Sequence, residues 1–370
     1  MSRKAARTYR ERTASEQPSA AGIDVFSVAD RRVFYLAYGC GGAQVRLSME
    51  RSSSYNLFVL GDHLAIGDGV ANPAASRTAL ATSLMRAAHS RLDPKPLIVD
   101  PWGDRLVPES AREMLRKAAL SRLQGDALKQ AMESPQSIVD QAMLQSRSYS
   151  NVITRSRYAE DALEAGVENG VGQYVLIGAG FDSFALRRPP FATALQIFEI
   201  DFPATQSLKI ERIAACGVSL PDSVHFVSAD LSQVSVAAAL EHSPFDPKAL
   251  TFFSWLGVTM YLTRDANIET LKSIASCSPA GSEVVFTYLD ERLFQAQSES
   301  FSELQARVAS IGEPFLSGFN PDSLAAGLAD CGLALIEDLN GADIALRYDK
   351  DGSHRLGQSM FSHIALARVL

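Results

Sequence analysis

The sequence predicts an α/β protein with a mainly parallel β-sheet. Beyond residue 172, short apolar runs alternate with helical patterns of about 10–15 residues, which is typical of strand–helix–strand units. The first of these runs leads directly into the turn Gly178-Ala179-Gly180. The last two runs are separated by glycine-containing stretches instead of such a helix, which favours an antiparallel pair that closes one side of the sheet.

The first predicted elements are helices, which occupy most of residues 72–170. Ser76 carries a hydroxyl suited to cap a helix N-terminus, and apolar residues recur after it at helical spacing. Pro94 and Pro96 end this helix, because proline cannot continue one. Further helices are predicted over 109–123, 137–143 and 155–165, the last ended by Gly166.

Seven strands follow, and five of them are each followed by a predicted helix. The strands are predicted over 173–177, 195–200, 224–227, 250–255, 283–288, 334–338 and 363–369. Helices are predicted from Asp182 onward and over 202–216, 234–240, 264–277 and 292–311.

Residues 1–71 lack this regular pattern. They contain two β-like runs, 33–38 and 55–60, which are separated by glycines. We expect an N-terminal extension that is partly disordered. Residues 72–370 are expected to form one domain, with a helical cover over 72–154 and a ligand-binding α/β core over 155–370.

The composition is that of an ordinary globular protein. The chain has 370 residues, of which 46% are apolar and 21% charged, and this excludes disordered, collagen-like and disulfide-scaffold classes. Its formal charge of −7 disfavours a nucleic-acid partner. No apolar run approaches the ~20 residues of a membrane helix. We therefore expect neither a nucleic-acid nor a membrane partner.

The cysteines give no metal or disulfide pattern. Cys40, Cys216, Cys277 and Cys331 form no CxxC pair and have no histidine at metal-ligand spacing. We expect no metal, a reducing compartment and, since no signal-peptide pattern follows the basic N-terminus, a cytoplasmic protein.

The glycine turn after the first predicted strand indicates a ligand site. Open α/β sheets bind ligands at the carboxyl ends of their strands, where glycine allows close approach of the backbone. A dinucleotide site would need GxGxxG, but Ser183 stands at the third glycine position. This counts against a bound pyrophosphate, and the phosphate-binding pattern GxxxxGK[ST] is absent as well.

Acidic residues end the next two predicted strands. Asp201 follows Gly178 by 23 positions and Glu199 by 21, a placement that suits a ribose diol. Asp230 ends the third strand and suits an adenine amino group, with Leu231 packing on the base, although Asp230 alone would more often cap the next helix. Together the three features favour a nucleoside without a pyrophosphate, which points to S-adenosylmethionine.

From about Ser76 to its end, the chain resembles the leucine carboxyl methyltransferase family, and most closely the bacterial branch that acts on small molecules. The resemblance rests on Thr154-Arg-Ser-Arg-Tyr-Ala-Glu-Asp161, Gly178-Ala-Gly-Phe-Asp-Ser183, Phe198-Glu-Ile-Asp-Phe-Pro203, Ala229-Asp-Leu231 and Phe253-Ser-Trp-Leu-Gly-Val-Thr-Met-Tyr-Leu262. It implies a Rossmann-like class I methyltransferase fold with seven strands, and S-adenosyl-L-methionine as the cofactor.

The resemblance also implies roles for individual residues. Arg155 matches the arginine that pairs with the methionyl carboxylate, with Arg157 as the alternative, and arginine suits this role through a bidentate charge-assisted pair. Gly178 would line the amino-acid end of the cofactor, and Gly180 in the same turn would also bind the cofactor. By the same comparison Asp201 would bind the ribose, and Asp230 with Leu231 the adenine.

One position departs from the family pattern. Leu256 stands where the family often has a glutamate, five residues before Tyr261, so a carboxylate contact to the cofactor is missing or replaced. This puts a protein-phosphatase substrate in doubt and agrees with the bacterial branch. The turn Asp100-Pro-Trp-Gly-Asp104 also matches the family, and we interpret it as structural.

The sequence leaves the acceptor and the catalytic side chain open. We expect an O-methyltransferase that acts on a carboxylate or hydroxyl of a small metabolite. A dinucleotide-dependent oxidoreductase and a catalytically silent binding protein are the alternatives. The six histidines form no recognisable catalytic arrangement, so no general base is predicted. Tyr261 and Tyr288 line the acceptor pocket or serve as core aromatics. The oligomeric state is not predicted.

Overall fold

The computed structural model of the chain describes residues 23–28, 32–37, 76–121, 123–295, 305, 314–354, 356–357 and 361–370. The chain divides into two units, Met1–Leu57 and Phe58–Leu370. The first unit contains an antiparallel hairpin of β1 (Ile23–Val28) and β2 (Arg32–Ala37), and β2 overlaps the predicted run 33–38. The predicted run 55–60 lies outside the described residues.

Six helices precede the sheet in the described part of the second unit, and they confirm the helical character predicted for this region. They are α1 (Arg77–Leu92), α2 (Gly103–Leu106), α3 (Glu109–Leu120), α4 (Gly125–Glu133), α5 (Pro135–Leu144) and α6 (Tyr149–Glu168). Ser76 caps α1 as predicted, because its hydroxyl accepts a hydrogen bond from the Ala79 N–H at 3.2 Å. The short helix α4 was not predicted.

Helix α6 runs through Gly166, where the sequence predicted an end. A Cβ at this position would lie 3.3 Å from Val171 Cγ2 and 3.5 Å from the Phe252 ring. Gly166 therefore serves close packing of the helix on the sheet and does not terminate it.

The second unit is built around a seven-stranded mixed sheet, which confirms the predicted fold. Its strand order is β5-β4-β3-β6-β7-β9-β8, with β3–β7 parallel and β9 antiparallel to both of its neighbours. The strands are β3 (Gln173–Ile177), β4 (Gln196–Asp201), β5 (Val224–Ser228), β6 (Thr251–Trp255), β7 (Glu283–Leu289), β8 (Leu333–Asn340) and β9 (Ser362–Val369).

Helices connect most of the strands. They are α7 (Phe184–Arg187), α8 (Pro203–Ala215), α9 (Val236–Leu240), α10 (Arg264–Cys277), α11 (Arg292–Gln295), α12 (Leu324–Ala329) and α13 (Gly341–Tyr348). The predicted helix 292–311 falls largely outside the described residues. Helix α13 was not predicted, although Asn340 and Asp343 form a capping box at its start.

Apolar side chains cover both faces of the sheet. One face packs on α9, α10 and α12 through residues such as Leu240 and Ile274, and the other packs on α6 and α7 through Leu163 and Phe184. A third cluster joins the helices before the sheet to Phe181, just after the glycine turn. Because helices cover both faces of the sheet, ligands reach it chiefly at the carboxyl ends of the strands. In the described residues, no helix is long and apolar enough to cross a membrane.

Candidate functional site

The glycine turn is fixed on the end of the neighbouring strand β4. Gly178 and Gly180 have φ angles of +69° and +52°. The N–H groups of Gly178 and Ala179 both donate to the Ile200 carbonyl, at 2.9 and 3.1 Å, and Gly180 N–H donates to a carboxylate oxygen of Asp201. The turn predicted to bind the cofactor is therefore bonded directly to the carboxylate predicted to bind ribose.

Asp201 keeps acceptor capacity for a ligand. One oxygen accepts from Gly180 N–H and the other from Phe202 N–H, the latter at 2.6 Å. A carboxylate has about four lone-pair sites, so about two remain for a pair of hydroxyls. Burial raises the pKa of Asp201 above its ordinary value, although the two backbone bonds oppose the shift.

Asp230 follows the end of the neighbouring strand β5, where Ala229 N–H donates to the Asp201 carbonyl at 2.9 Å. Its Oδ1 accepts from the N–H and the hydroxyl of Ser232, at 3.0 and 2.7 Å. Asp230 does not cap the next helix, because Ser235 caps α9. This excludes the capping alternative.

Leu231, the residue after Asp230, packs on the apolar cluster that covers one face of the sheet. Leu231 is partly buried there, so its side chain offers only part of its surface to a ligand.

Arg155 projects from α6 onto the turn that follows β6. Its guanidinium lies against Gly257, where a Cβ would be 2.4 Å from Nη1. Nη1 donates to Asn151 Oδ1 at 3.2 Å, and among the described residues Arg155 forms no ion pair. Burial lowers its pKa to about 10, although the charges of Tyr261 and Asp182 oppose the shift. Arg155 is thus a partly buried cation with no carboxylate partner among the residues that the structure describes.

Arg157, the alternative to Arg155, points elsewhere. It forms an ion pair with Asp161 and donates to the Leu97 carbonyl at 3.4 Å. Its charge is already balanced, which makes it less suitable for a ligand carboxylate.

The predicted residues form one continuous row along the carboxyl edge of the sheet. Arg155 lies on Gly257. The next residue, Val258, lies against Gly178, since a Cβ on Gly178 would be 2.6 Å from Val258 Cγ2. Both glycines have positive φ, which a larger residue tolerates poorly. The glycine turn then leads to Asp201, and Asp201 to Asp230. Gly257 was missed in the sequence, because the packing that requires it involves the distant Arg155.

A buried polar network ties the helices before the sheet to this row. Arg86 donates to Asp100 at 2.9 Å and to the Phe181 carbonyl at 2.6 Å. Asp100 also accepts from Trp102 N–H and Gly103 N–H, both at 3.0 Å, in agreement with a structural role for the turn 100–104. Helix α1, which belongs to the predicted helical cover, is thereby anchored to the segment just after the glycine turn.

Ser183, which replaces the third glycine of a dinucleotide site, takes part in the same region. It is fully buried, and its hydroxyl accepts from Arg187 Nε at 2.9 Å. Arg187 in turn pairs with Glu160 on α6. Ser183 therefore supports the end of the glycine segment from within the protein.

Two of the three remaining candidate residues pack in the protein core, and the third lies near Arg155. Tyr288 is 1% exposed, donates to Asp338 Oδ2 at 2.7 Å and stacks on His363 at a centroid distance of 4.8 Å, so it is a core aromatic. Tyr261 lies close enough to Arg155 for its charge to raise the pKa of Arg155. Leu256 packs on the apolar cluster shared with α6.

No metal cluster accompanies the row. In the part of the chain that the structure describes, no group of three or more His, Cys, Asp or Glu is placed to hold a metal ion.

An α/β fold with a glycine turn and two carboxylates at the carboxyl ends of adjacent parallel strands is typical of enzymes that use a nucleoside-containing cofactor. The family model described as leucine carboxyl methyltransferase matches residues 79–275, and the chain belongs to this family. It is an S-adenosyl-L-methionine-dependent methyltransferase with S-adenosyl-L-methionine as its cofactor.

Curated relatives agree with this assignment. The Bacillus subtilis protein YktD carries the provisional name of an S-adenosyl-L-methionine-dependent methyltransferase and is 32% identical over 73% of this chain and 90% of its own length. A Mycolicibacterium smegmatis protein of similar provisional name is 28% identical over 65% of this chain and 77% of its own.

A solved structure agrees with the fold. A DUF574-family protein from Streptomyces avermitilis has a TM-score of 0.50 at 12% identity, over 80% of this chain and 98% of that protein. At this identity the likeness concerns the fold alone.

Proposed function

We propose that this methyltransferase transfers the methyl group to a carboxylate or hydroxyl oxygen of a small metabolite. The observation that carries the cofactor part of the proposal is Arg155, a partly buried guanidinium without an ion-pair partner among the described residues. Such a charge is costly unless an anion balances it, and the methionyl carboxylate of the cofactor is an anion of suitable geometry.

The residues of the row fit the other parts of the cofactor. Asp201 has unused acceptor sites for the ribose hydroxyls. Asp230 accepts both of its hydrogen bonds from Ser232 on Oδ1, which leaves Oδ2 for an exocyclic amine, and Leu231 offers an apolar surface to the base. Gly178 and Gly180 keep the backbone accessible at the amino-acid end. We place the cofactor along this row, from Arg155 to Asp230.

When bound, S-adenosyl-L-methionine supplies a methyl group that is already electrophilic. The chain then has to hold the acceptor oxygen in line with that group, and such positioning contributes on the order of 7–11 kcal/mol. A carboxylate acceptor is ionised at neutral pH and needs no general base. A hydroxyl acceptor would need a general base.

The acceptor is expected to be a free small molecule. A formal charge of −7 disfavours a nucleic-acid acceptor, which would require a basic surface. We leave the identity of the metabolite to experiment.

Incubation of the protein and methyl-labelled cofactor with a metabolite extract tests the proposal. Mass spectrometry should find a product with one added labelled methyl on oxygen. Mild alkaline hydrolysis then separates the classes, because a methyl ester releases labelled methanol and a methyl ether does not. The matched control is Arg155→Ala under the same conditions, which should give little product.

Three results would contradict the proposal. A product labelled on nitrogen, carbon or sulfur would exclude an O-methyltransferase. Cofactor binding without transfer to any component of the extract would favour the catalytically silent alternative. Binding of NADH in place of the cofactor product S-adenosylhomocysteine would favour an oxidoreductase.

A further inference from the structure

The Gly257 backbone under Arg155 is held by one side chain of the neighbouring strand. The ladder between β6 and β7 ends at Trp255 and Phe286. Beyond it, Gly257 N–H donates to Thr287 Oγ1 at 2.7 Å. The Thr287 hydroxyl therefore adds one hydrogen bond between the two strands beyond the end of their ladder. The bond lies where the chain leaves the sheet at Gly257, whose φ is +72°.

The Thr287 carbonyl fixes the same turn a second time. The Thr259 hydroxyl donates to it at 2.6 Å, and Asn267 Nδ2 donates to the Thr259 carbonyl at 2.9 Å. Thr287, Thr259 and Asn267 are at most 2% exposed, so these bonds are shielded from water. Thr287 thus binds the turn on both sides of Val258.

The position of Gly257 determines where the guanidinium of Arg155 can lie. The two are in contact, and a Cβ on residue 257 would be 2.4–2.7 Å from three guanidinium atoms. A shift of the turn by a few tenths of an ångström would therefore move the guanidinium or open a gap beneath it.

We propose that Thr287 is a positioning residue for the cofactor carboxylate. It acts through Gly257 on Arg155 and does not touch the cofactor itself. This inference rests on the proposed role of Arg155. It predicts that loss of the Thr287 hydroxyl weakens binding of the amino-acid end of the ligand while binding of the nucleoside end is preserved.

Two ligands distinguish these ends in a calorimetric titration. S-adenosylhomocysteine carries the carboxylate, whereas 5′-deoxy-5′-methylthioadenosine has the same nucleoside thioether without the amino acid. In Thr287→Val, the Kd for S-adenosylhomocysteine should rise about tenfold, as expected when the charged hydrogen bond between Arg155 and the ligand carboxylate is weakened. The Kd for the nucleoside should rise by less than about twofold. Thr287→Ser should restore wild-type affinity, because it keeps the hydroxyl.

Thr270→Val is the matched control for a lost buried hydroxyl. Thr270 is 6% exposed and donates within its own helix, to the Ala266 carbonyl at 2.8 Å. This variant should leave both affinities unchanged. Equal weakening of both ligands by Thr287→Val, or weakening of neither, would overturn the inference.

Two further variants keep the test decisive. If Thr287→Val does not fold, Gly257→Ala replaces it, because the added Cβ displaces the guanidinium from below and should give the same selective loss. Equal loss of affinity for both ligands, or no loss, in Gly257→Ala would overturn the inference.

Arg155→Ala separates this inference from the proposed function. If that variant loses affinity for S-adenosylhomocysteine while Thr287→Val does not, only the positioning role fails. If Arg155→Ala binds normally, the proposed site fails as well.

Discussion

The guanidinium of Arg155 lies on the backbone of Gly257, close enough that no side chain fits between them. This contact places a positive charge from the helix before the sheet at the carboxyl end of a central strand. The glycine turn, Asp201 and Asp230 continue the same edge. In the proposed site, these groups follow one another in the order of the carboxylate, ribose and adenine of the cofactor.

Asp201, as the proposed ribose ligand, should make cofactor affinity depend on pH. An ionised carboxylate accepts two hydroxyls better than a protonated one, which has fewer acceptor sites, and burial raises the pKa of Asp201. Affinity for S-adenosylhomocysteine should therefore be full at neutral pH and fall on acidification, starting at a higher pH than for an ordinary aspartate. Calorimetry from about pH 8 to about pH 4.5 measures this effect.

Asp201→Asn is the corresponding variant. It should bind at least about tenfold more weakly at neutral pH and lose the pH dependence. Exposed Asp222 offers the control, since Asp222→Asn should match the wild type. A wild-type affinity that is flat over the whole pH range would refute a direct role for the Asp201 carboxylate.

Arg86 should contribute strongly to stability. Arg86→Met leaves Asp100 buried without its partner and removes the donor to the Phe181 carbonyl. Breaking a buried ion pair on one side typically costs about 3–5 kcal/mol in the free energy of unfolding. Urea denaturation at neutral pH measures this change.

Lys272→Met is the control for Arg86→Met, because Lys272 pairs with Glu269 at 3.0 Å on the surface. Exposed pairs contribute about 1 kcal/mol or less. Similar stabilities of the two variants would show that the network around Arg86 does not hold α1 to the core.

His89 should make the protein less stable in mild acid. It is fully buried, and burial lowers its pKa to about 4, with the Asp93 charge opposing and the His354 charge adding to the shift. Leu97 N–H donates to Nε2, so protonation of that nitrogen would break a hydrogen bond. The unfolded chain binds a proton near the ordinary histidine pKa of about 6.5, whereas the folded protein does not.

The free energy of unfolding should therefore decrease as the pH falls from about 6.5 to about 4, by the order of 2–3 kcal/mol from this residue. Urea unfolding at several pH values in this window measures the slope. His89→Asn should reduce the slope, and His242→Gln, at an exposed position, should leave it unchanged. An unaltered slope in His89→Asn would assign the pH dependence to other groups.

Local patterns predicted most of the sheet. Strand β3 and helix α10 begin and end at the predicted residues, because apolar runs and clear turn residues bound them. The glycine turn and Asp201 were also found from spacing alone. Helix α13 was missed since Gly341 was interpreted as a break, whereas the Asn340 capping box starts a helix there.

The rest of the site depends on contacts between distant parts of the chain. Arg155 was singled out by family resemblance, because an arginine on a helix is more often solvated than buried. Thr287 and Arg86 carry no local pattern, and Gly257 lies in the motif 253–262 without a role assigned to it. Their roles arise only when α6 crosses the end of β6, when β7 lies beside β6, and when α1 packs on Phe181.

The affinity of Arg155→Ala for S-adenosylhomocysteine is the most direct test of the proposed site. The account predicts a loss of ~1.5–3 kcal/mol, or about 10–150-fold in Kd, as for a hydrogen-bonded charged group. Arg157→Ala, which breaks an outward-facing ion pair, should bind within about twofold of the wild type. Unchanged affinity in Arg155→Ala, or a large loss in Arg157→Ala alone, would contradict the account.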